Sequence, residues 1–268
     1  MDTALDRKHQ AVLDAFGGLD GVLVAFSGGV DSTLLLRLAR DALGERCVAL
    51  TAVSPSFPER ERREAESLGR SLGVRHVWVE SKELERGSYA QNPSNRCYFC
   101  RSELFDHCFR VGRELGLGQI AYGATVDDLG DHRPGMKAAK ERGVRAPLLE
   151  AGMTKAEIRE LSRRLDLSTW DKPAMACLAS RFPTGVPISR ERLARVEAAE
   201  NALRDEGFRD VRVRFHEATA RIEVGEAEWD RFLDPVLRSR IDGALRDAGF
   251  RFVTLDLMPF RSGRLSAE

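Results

Sequence analysis

Ser27-Gly28-Gly29-Val30-Asp31-Ser32-Thr33 follows the apolar run Gly21 to Phe26 and leads straight into Leu34-Leu35-Leu36. A strand, a tight turn and a helix in that order leave the first backbone N–H groups of the helix without intrahelical acceptors, facing out of the turn. Such an end holds anions. Gly28 and Gly29 let the main chain approach a polyphosphate without Cβ clashes, while Ser27, Ser32 and Thr33 add hydroxyl donors. Asp31 can cap the helix or help hold Mg2+. No Gly-Lys-Ser/Thr follows, so a Walker loop is excluded. Taken alone, the glycines fit an ordinary turn capped by Asp31. The six-residue pattern between strand and helix favours ATP.

Outward from this turn, Cys47 to Val53, His76 to Glu80 and Gln119 to Gly123 are further short apolar runs, each followed by helical or loop sequence. That alternation predicts an α/β fold with a doubly wound, mainly parallel sheet and ligands at the carboxyl ends of its strands. Thr154-Lys155-Ala156-Glu157 has the pattern of a capping box and opens a helix that closes this domain, residues 1–166. Periodicity is lost across 167–187, where Pro173, Pro183, Gly185 and Pro187 mark a cysteine-bearing linking segment. In 188–268, Leu203-Arg204-Asp205-Glu206-Gly207-Phe208 recurs as Leu245-Arg246-Asp247-Ala248-Gly249-Phe250. Each copy ends a helix at Gly and enters a strand, predicting a smaller C-terminal α/β domain.

Lys+Arg and Asp+Glu are 42 each, so net charge does not draw the molecule to nucleic acid or membrane, and any anion must be met by a local patch. No run reaches the ~20 apolar residues of a membrane span. The N-terminus lacks the order of a signal peptide, so a cytoplasmic protein is expected. In that reducing compartment five cysteines are thiols, ligands or reactive groups rather than a disulfide framework.

SGGVDS resembles the PP-loop ATP pyrophosphatases, which adenylate an oxygen of their substrate and release pyrophosphate. The resemblance places the adenine near Ser54, past the second strand. Three further stretches, Asn95 to Arg101, Gly123 to Gly135 and Lys172 to Arg181, resemble the LarE family over nearly the whole chain. That likeness implies an ATP-dependent sulfur transferase acting on pyridinium-3,5-biscarboxylate mononucleotide. Its thiocarboxylate product serves the nickel-pincer nucleotide cofactor of lactate racemase. It also implies a homo-oligomer.

In the family the position of Cys177 can be a sacrificial donor: its thiolate attacks the acyl-adenylate and elimination leaves dehydroalanine. Cys97 and Cys100 add a CxxC, and three thiolates are one fewer than complete an ordinary cubane. The expectation is a 4Fe–4S cluster on Cys97, Cys100 and Cys177 whose open iron carries the transferred sulfide. A sacrificial Cys177, a redox dithiol and a zinc half-site stand as alternatives, zinc lacking a fourth ligand. Cys47 and Cys108 lie in apolar surroundings and are expected to be core thiols.

Arg212 and Arg214 are two apart on a strand and so share a face. With Ser180 and Glu200 they fall where the family handles its acidic substrate, or else they form a solvated face paired with Glu223. Lys172 and Arg181 flank Cys177, where they can activate the thiol or bind phosphate, or merely project into water. Asp127, Asp128 and Asp131 stand past a strand end near Arg133, so Asp128 and Arg133 are candidates for nucleotide handling against a plain capping role. The five histidines show no metal spacing. The rival readings are a tRNA thiolase, disfavoured by neutral charge and the lack of an RNA-binding module, and a nucleotide sensor built on iron–sulfur or zinc.

Overall fold

The computed structural model describes residues 3–129 and 134–260. Its elements run α1 (Ala4–Asp14), β1 (Val22–Ala25), α2 (Val30–Leu43), β2 (Cys47–Val53), α3 (Glu59–Ser71), β3 (Arg75–Glu80), α4 (Gly87–Ala90), α5 (Arg96–Glu114), β4 (Gln119–Tyr122), α6 (Pro134–Glu141), α7 (Pro147–Glu150) and α8 (Lys155–Arg164). There follow α9 (Arg190–Asp205), β5 (Val211–His216), β6 (Thr219–Val224), α10 (Pro235–Asp247) and β7 (Phe252–Leu255). The chain divides into two compact units. One holds Met1–Ser54, Glu59–Glu83 and Asn95–Lys172, and the other Pro55–Pro58, Leu84–Ser94 and Pro173–Glu268. The irregular 167–187 stretch is thus shared, changing unit between Lys172 and Pro173.

The first unit is a four-stranded sheet in the order β3-β2-β1-β4, parallel throughout. Its inner strands β2 and β1 are buried on both faces because helices cover both, as a parallel sheet requires, whereas the edge strand β3 is part-exposed. On β1 the alternation is explicit. Val22, Val24 and Phe26 pack with Leu34, Leu38 and Ile158 of α2 and α8, whereas Leu23 and Ala25 point to Phe105, Cys108 and Val111 of α5. The α8 capping box forms: the Thr154 hydroxyl accepts from Glu157 N–H at 3.2 Å, and the Glu157 carboxylate accepts from Thr154 N–H at 2.8 Å.

In the second unit the sheet order is β5-β6-β7, antiparallel then parallel. The repeat is real: α9 ends before Gly207 and feeds β5, and α10 ends before Gly249 and feeds β7. The 84–94 segment belongs to this unit because Asn92 and Ala90 carbonyls accept from Gly185 and Ile188 N–H at 2.8 and 2.7 Å. Among the described residues no helix is long and apolar enough to cross a membrane.

Candidate active site

The carboxyl end of β1 delivers Ser27 into a turn knotted by one hydroxyl. Ser32 Oγ accepts from Ser27 N–H at 3.3 Å, lies 3.1 Å from Ser27 Oγ and donates to the Gly29 carbonyl at 3.2 Å. Gly28 has φ +75°, and a Cβ there would stand 3.0 Å from Ala65 Cβ, so α3 lies against the turn. From beyond β4, Gly123 comes so close that a Cβ would meet Ser32 N at 3.0 Å. Two glycines therefore let three segments converge on the N-terminus of α2, where amides and helix dipole favour a phosphate.

Asp31, in the first turn of α2, has one carboxylate oxygen paired with the Lys155 ammonium and the other buried with no hydrogen-bond partner. Thr33 Oγ1 is likewise buried without a partner. An unsatisfied carboxylate oxygen beside outward-facing amides suits Mg2+ carried by a polyphosphate, a hard cation that takes oxygen ligands. Lys155 itself was hidden in the sequence, where it reads only as the first residue of a capped helix. The available signal was electrostatic: a cation at a helix N-terminus opposes the dipole and calls for an acidic partner.

Lys172 is also at this turn. Its ammonium donates to the Gly28 carbonyl at 3.2 Å and pairs with Glu61 and Glu64 of α3 at 2.7 Å each. Nearby in the same unit, Ser54 Oγ donates to Glu83 at 2.6 Å. Asp128 accepts from Thr125 N–H at 2.8 Å, and Asp127 accepts from Lys155 N–H at 2.7 Å, so both acids cap local structure. Arg133 and Asp131 lie outside the described residues.

The cysteines sort by environment. Burial pushes the thiols of Cys47 and Cys108 up to about 12, leaving them protonated and inert. Cys97 is exposed and Cys100 half-buried, three residues apart at the start of α5 in the first unit. Cys177, half-buried, belongs to the second unit and precedes a short turn at Leu178–Arg181. Thiolates are soft donors, chemically suited to an iron–sulfur cluster. However, no group of three potential metal ligands is assembled among the described residues.

Around Cys177 three arginines hold the main chain. Arg212 donates to the Ala174 carbonyl at 2.6 Å, and Arg214 to the Ser180 carbonyl at 3.0 Å. Between them Arg181 Nη1 donates to the Ala176 and Cys177 carbonyls at 2.8 and 3.0 Å. Arg181 is only 2% exposed, and its other nitrogens donate to Glu200 at 2.8 and 3.0 Å. Glu200 is fully buried, and also accepts from Arg204 at 3.0 Å and Val213 N–H at 3.0 Å. Burial alone would raise its carboxyl. The Arg181, Arg204 and Arg212 guanidiniums outweigh that and hold it below the usual value.

Arg212 and Arg214 are thus buried, not a solvated face, although Arg214 does pair with Glu223 at 2.7 Å. Burial first, then Arg181, brings Arg212 down to about 10, and its guanidinium lies 4.7 Å from the Phe260 ring centre. Arg181 and Arg204 pair with Glu200, Arg214 and Arg221 with Glu223, and Arg221 also with Asp256. Of these arginines and Arg212, Arg181, Arg212 and Arg214 are buried, as are Glu200 and Glu223, while Arg204 and Arg221 remain part-exposed. The buried Nε of Arg214 has no acceptor.

Residues 10–98 match the NAD synthase family model, which spans the phosphate turn. The chain is 44% identical over 98% of its length to an uncharacterized protein of Synechocystis, of which it covers 98%. It is 38% identical to the pyridinium-3,5-bisthiocarboxylic acid mononucleotide synthase of Lactiplantibacillus plantarum, covering 98% of this chain and 95% of that protein. A shorter likeness, 42% over 62 residues or 23% of this chain and 12% of the relative, is to a GMP synthase of Pyrobaculum aerophilum.

Proposed function

Because the chain belongs to the LarE family of PP-loop enzymes, we propose that it spends ATP to turn a carboxylate of pyridinium-3,5-biscarboxylate mononucleotide into a thiocarboxylate, with Cys177 supplying the sulfur. The observation that carries this reading is the thiol of Cys177 on a loop whose carbonyls are gripped by Arg212, Arg181 and Arg214. A main chain fixed on both sides of one half-buried thiol preorganises a nucleophile.

In the first step the substrate carboxylate attacks the α-phosphorus of ATP, forming an acyl-adenylate and releasing pyrophosphate. Ser27, Gly28, Gly29, Ser32 and Thr33, with the first amides of α2, hold that leaving group without reorganising. Mg2+ on Asp31 would disperse the developing phosphate charge. Lys155 and Lys172 supply ammonium groups at the same turn. Ser54 lies past the carboxyl end of β2, on the side expected for adenine, and Asp128 shapes the loop after β4. The Cys177 thiolate then displaces AMP to give a thioester, and β-elimination frees the thiocarboxylate. The guanidiniums of Arg212 and Arg214 suit the phosphate and carboxylates of the mononucleotide, with Ser180 beside them. Glu200 serves by fixing Arg181.

The test is anaerobic purification, iron and sulfide analysis, and turnover with Mg·ATP and the mononucleotide under intact-mass detection. Pyrophosphate, AMP and thiocarboxylate with conversion of Cys177 to dehydroalanine support the reading. Iron and sulfide lost on Cys97→Ala or Cys100→Ala, with Cys177 unaltered after many turnovers, would replace it with a 4Fe–4S carrier. ATP binding without pyrophosphate would leave a sensor.

A further inference from the structure

If Cys177 gives up its sulfur, the leaving step asks for more than a good nucleophile. Once Sγ carries the acyl group, breaking Cβ–Sγ begins with loss of the Cα proton, and the electron pair spreads onto the Cys177 carbonyl oxygen. A peptide Cα–H is a very weak acid. The fold can lower that barrier by placing donors where the charge develops.

That oxygen accepts from Ser180 N–H at 3.0 Å, from Ser180 Oγ at 2.8 Å and from Arg181 Nη1 at 3.0 Å. The short turn needs only the first of these. Arg181 Nη1 also donates to Ser180 Oγ at 2.9 Å, which orients the hydroxyl proton toward the carbonyl. The guanidinium is locked by Glu200, and Leu178 N–H donates to the Ser56 carbonyl at 2.8 Å from the other side of the residue. Donors so fixed need no rearrangement when charge appears.

We propose that Ser180 and Arg181 form an enolate-stabilising hole for the Cys177 carbonyl and are catalytic residues of the elimination that frees the sulfur. Solvent water or hydroxide takes the Cα proton. The C–H pair becomes the Cα=Cβ bond, and Sγ leaves with the Cβ–Sγ pair as the substrate's thiocarboxylate. Dehydroalanine remains, and no oxidant or reductant is consumed.

The inference rests on Cys177 being the donor, so its test has a substrate-free arm. In a Cys97→Ala/Cys100→Ala background, a bis-alkylating dibromide converts Cys177 to a cyclic sulfonium, and intact mass follows its elimination to dehydroalanine in mild base. Arg181→Lys is expected to slow elimination about 100-fold and Ser180→Ala by a smaller factor, while the alkylation rate, which reports thiol access, stays the same. Equal elimination rates overturn the proposal alone. With Mg·ATP and the mononucleotide, Arg181→Lys should lower thiocarboxylate release far more than pyrophosphate release and so accumulate a Cys177 thioester. Parallel loss of both steps shows a merely structural role and also overturns it. Thiocarboxylate made by the unaltered protein with Cys177 intact refutes the donor reading and the proposal together.

Discussion

Replacing Glu200 by Gln keeps the side-chain volume but removes the charge that neutralises Arg181. The carboxylate is fully buried, Arg181 is 2% exposed, and the two meet through contacts of 2.8 and 3.0 Å, so water cannot take over. Breaking one partner of such a pair costs about 3–5 kcal/mol. At roughly 2–4 °C per kcal/mol, that lowers the unfolding transition by about 6–20 °C. The sign of the pH dependence follows from the depressed Glu200 pKa. Its stabilisation is present above the ordinary carboxylate range and is lost as pH falls through the folded value, so variant and parent converge in acid. Thermal unfolding by circular dichroism across pH reads this directly. Replacing both partners, Glu200→Leu with Arg181→Met, should restore only part of the stability, because it removes the orphaned Arg181 charge but still leaves Arg204 and the Val213 N–H without their acceptor. A neutral-pH melting point for Glu200→Gln within about 2 °C of the parent would refute the reasoning.

Two other outcomes are expected. Burial holds His76 at about 4, with its ring between Phe26 and Trp78 and Nε2 2.8 Å from Thr51 Oγ1, so above the ordinary histidine range it has no pH effect. Between about pH 6.5 and 4 the unfolded chain takes a proton the fold refuses, costing about 1–2 kcal/mol after allowance for partial exposure; urea titrations of His76→Gln should lose that slope. Lys155→Met should weaken Mg·ATP binding by roughly 10- to 100-fold, the worth of a charge-assisted bond, and an unchanged Kd by calorimetry would remove Lys155 from the nucleotide site.

Legibility tracked the range of the interaction. The strand–turn–helix around Ser27 to Thr33, the Thr154 capping box and the repeated helix–Gly–strand unit are local patterns, and each formed as the sequence predicts. Side-chain destinations were harder. Lys172 sits beside the cysteine motif in sequence, yet its ammonium reaches Gly28, Glu61 and Glu64. Arg212 and Arg214 share a strand, but being arginines does not say whether a substrate or a neighbouring carbonyl will satisfy them.

The sequence by itself determined that a phosphate-holding turn opens a helix in a parallel α/β sheet, because glycines, hydroxyls and apolar periodicity act over a few residues. Only the tertiary structure decided that Lys155 meets Asp31, that Glu200 disappears beneath Arg181, and that Arg212 and Arg214 take the Ala174 and Ser180 carbonyls. The physical reason is desolvation. Once folding removes water from these charged and polar groups, each must find a partner wherever the packing places one, and that partner is fixed by the fold rather than by distance along the chain.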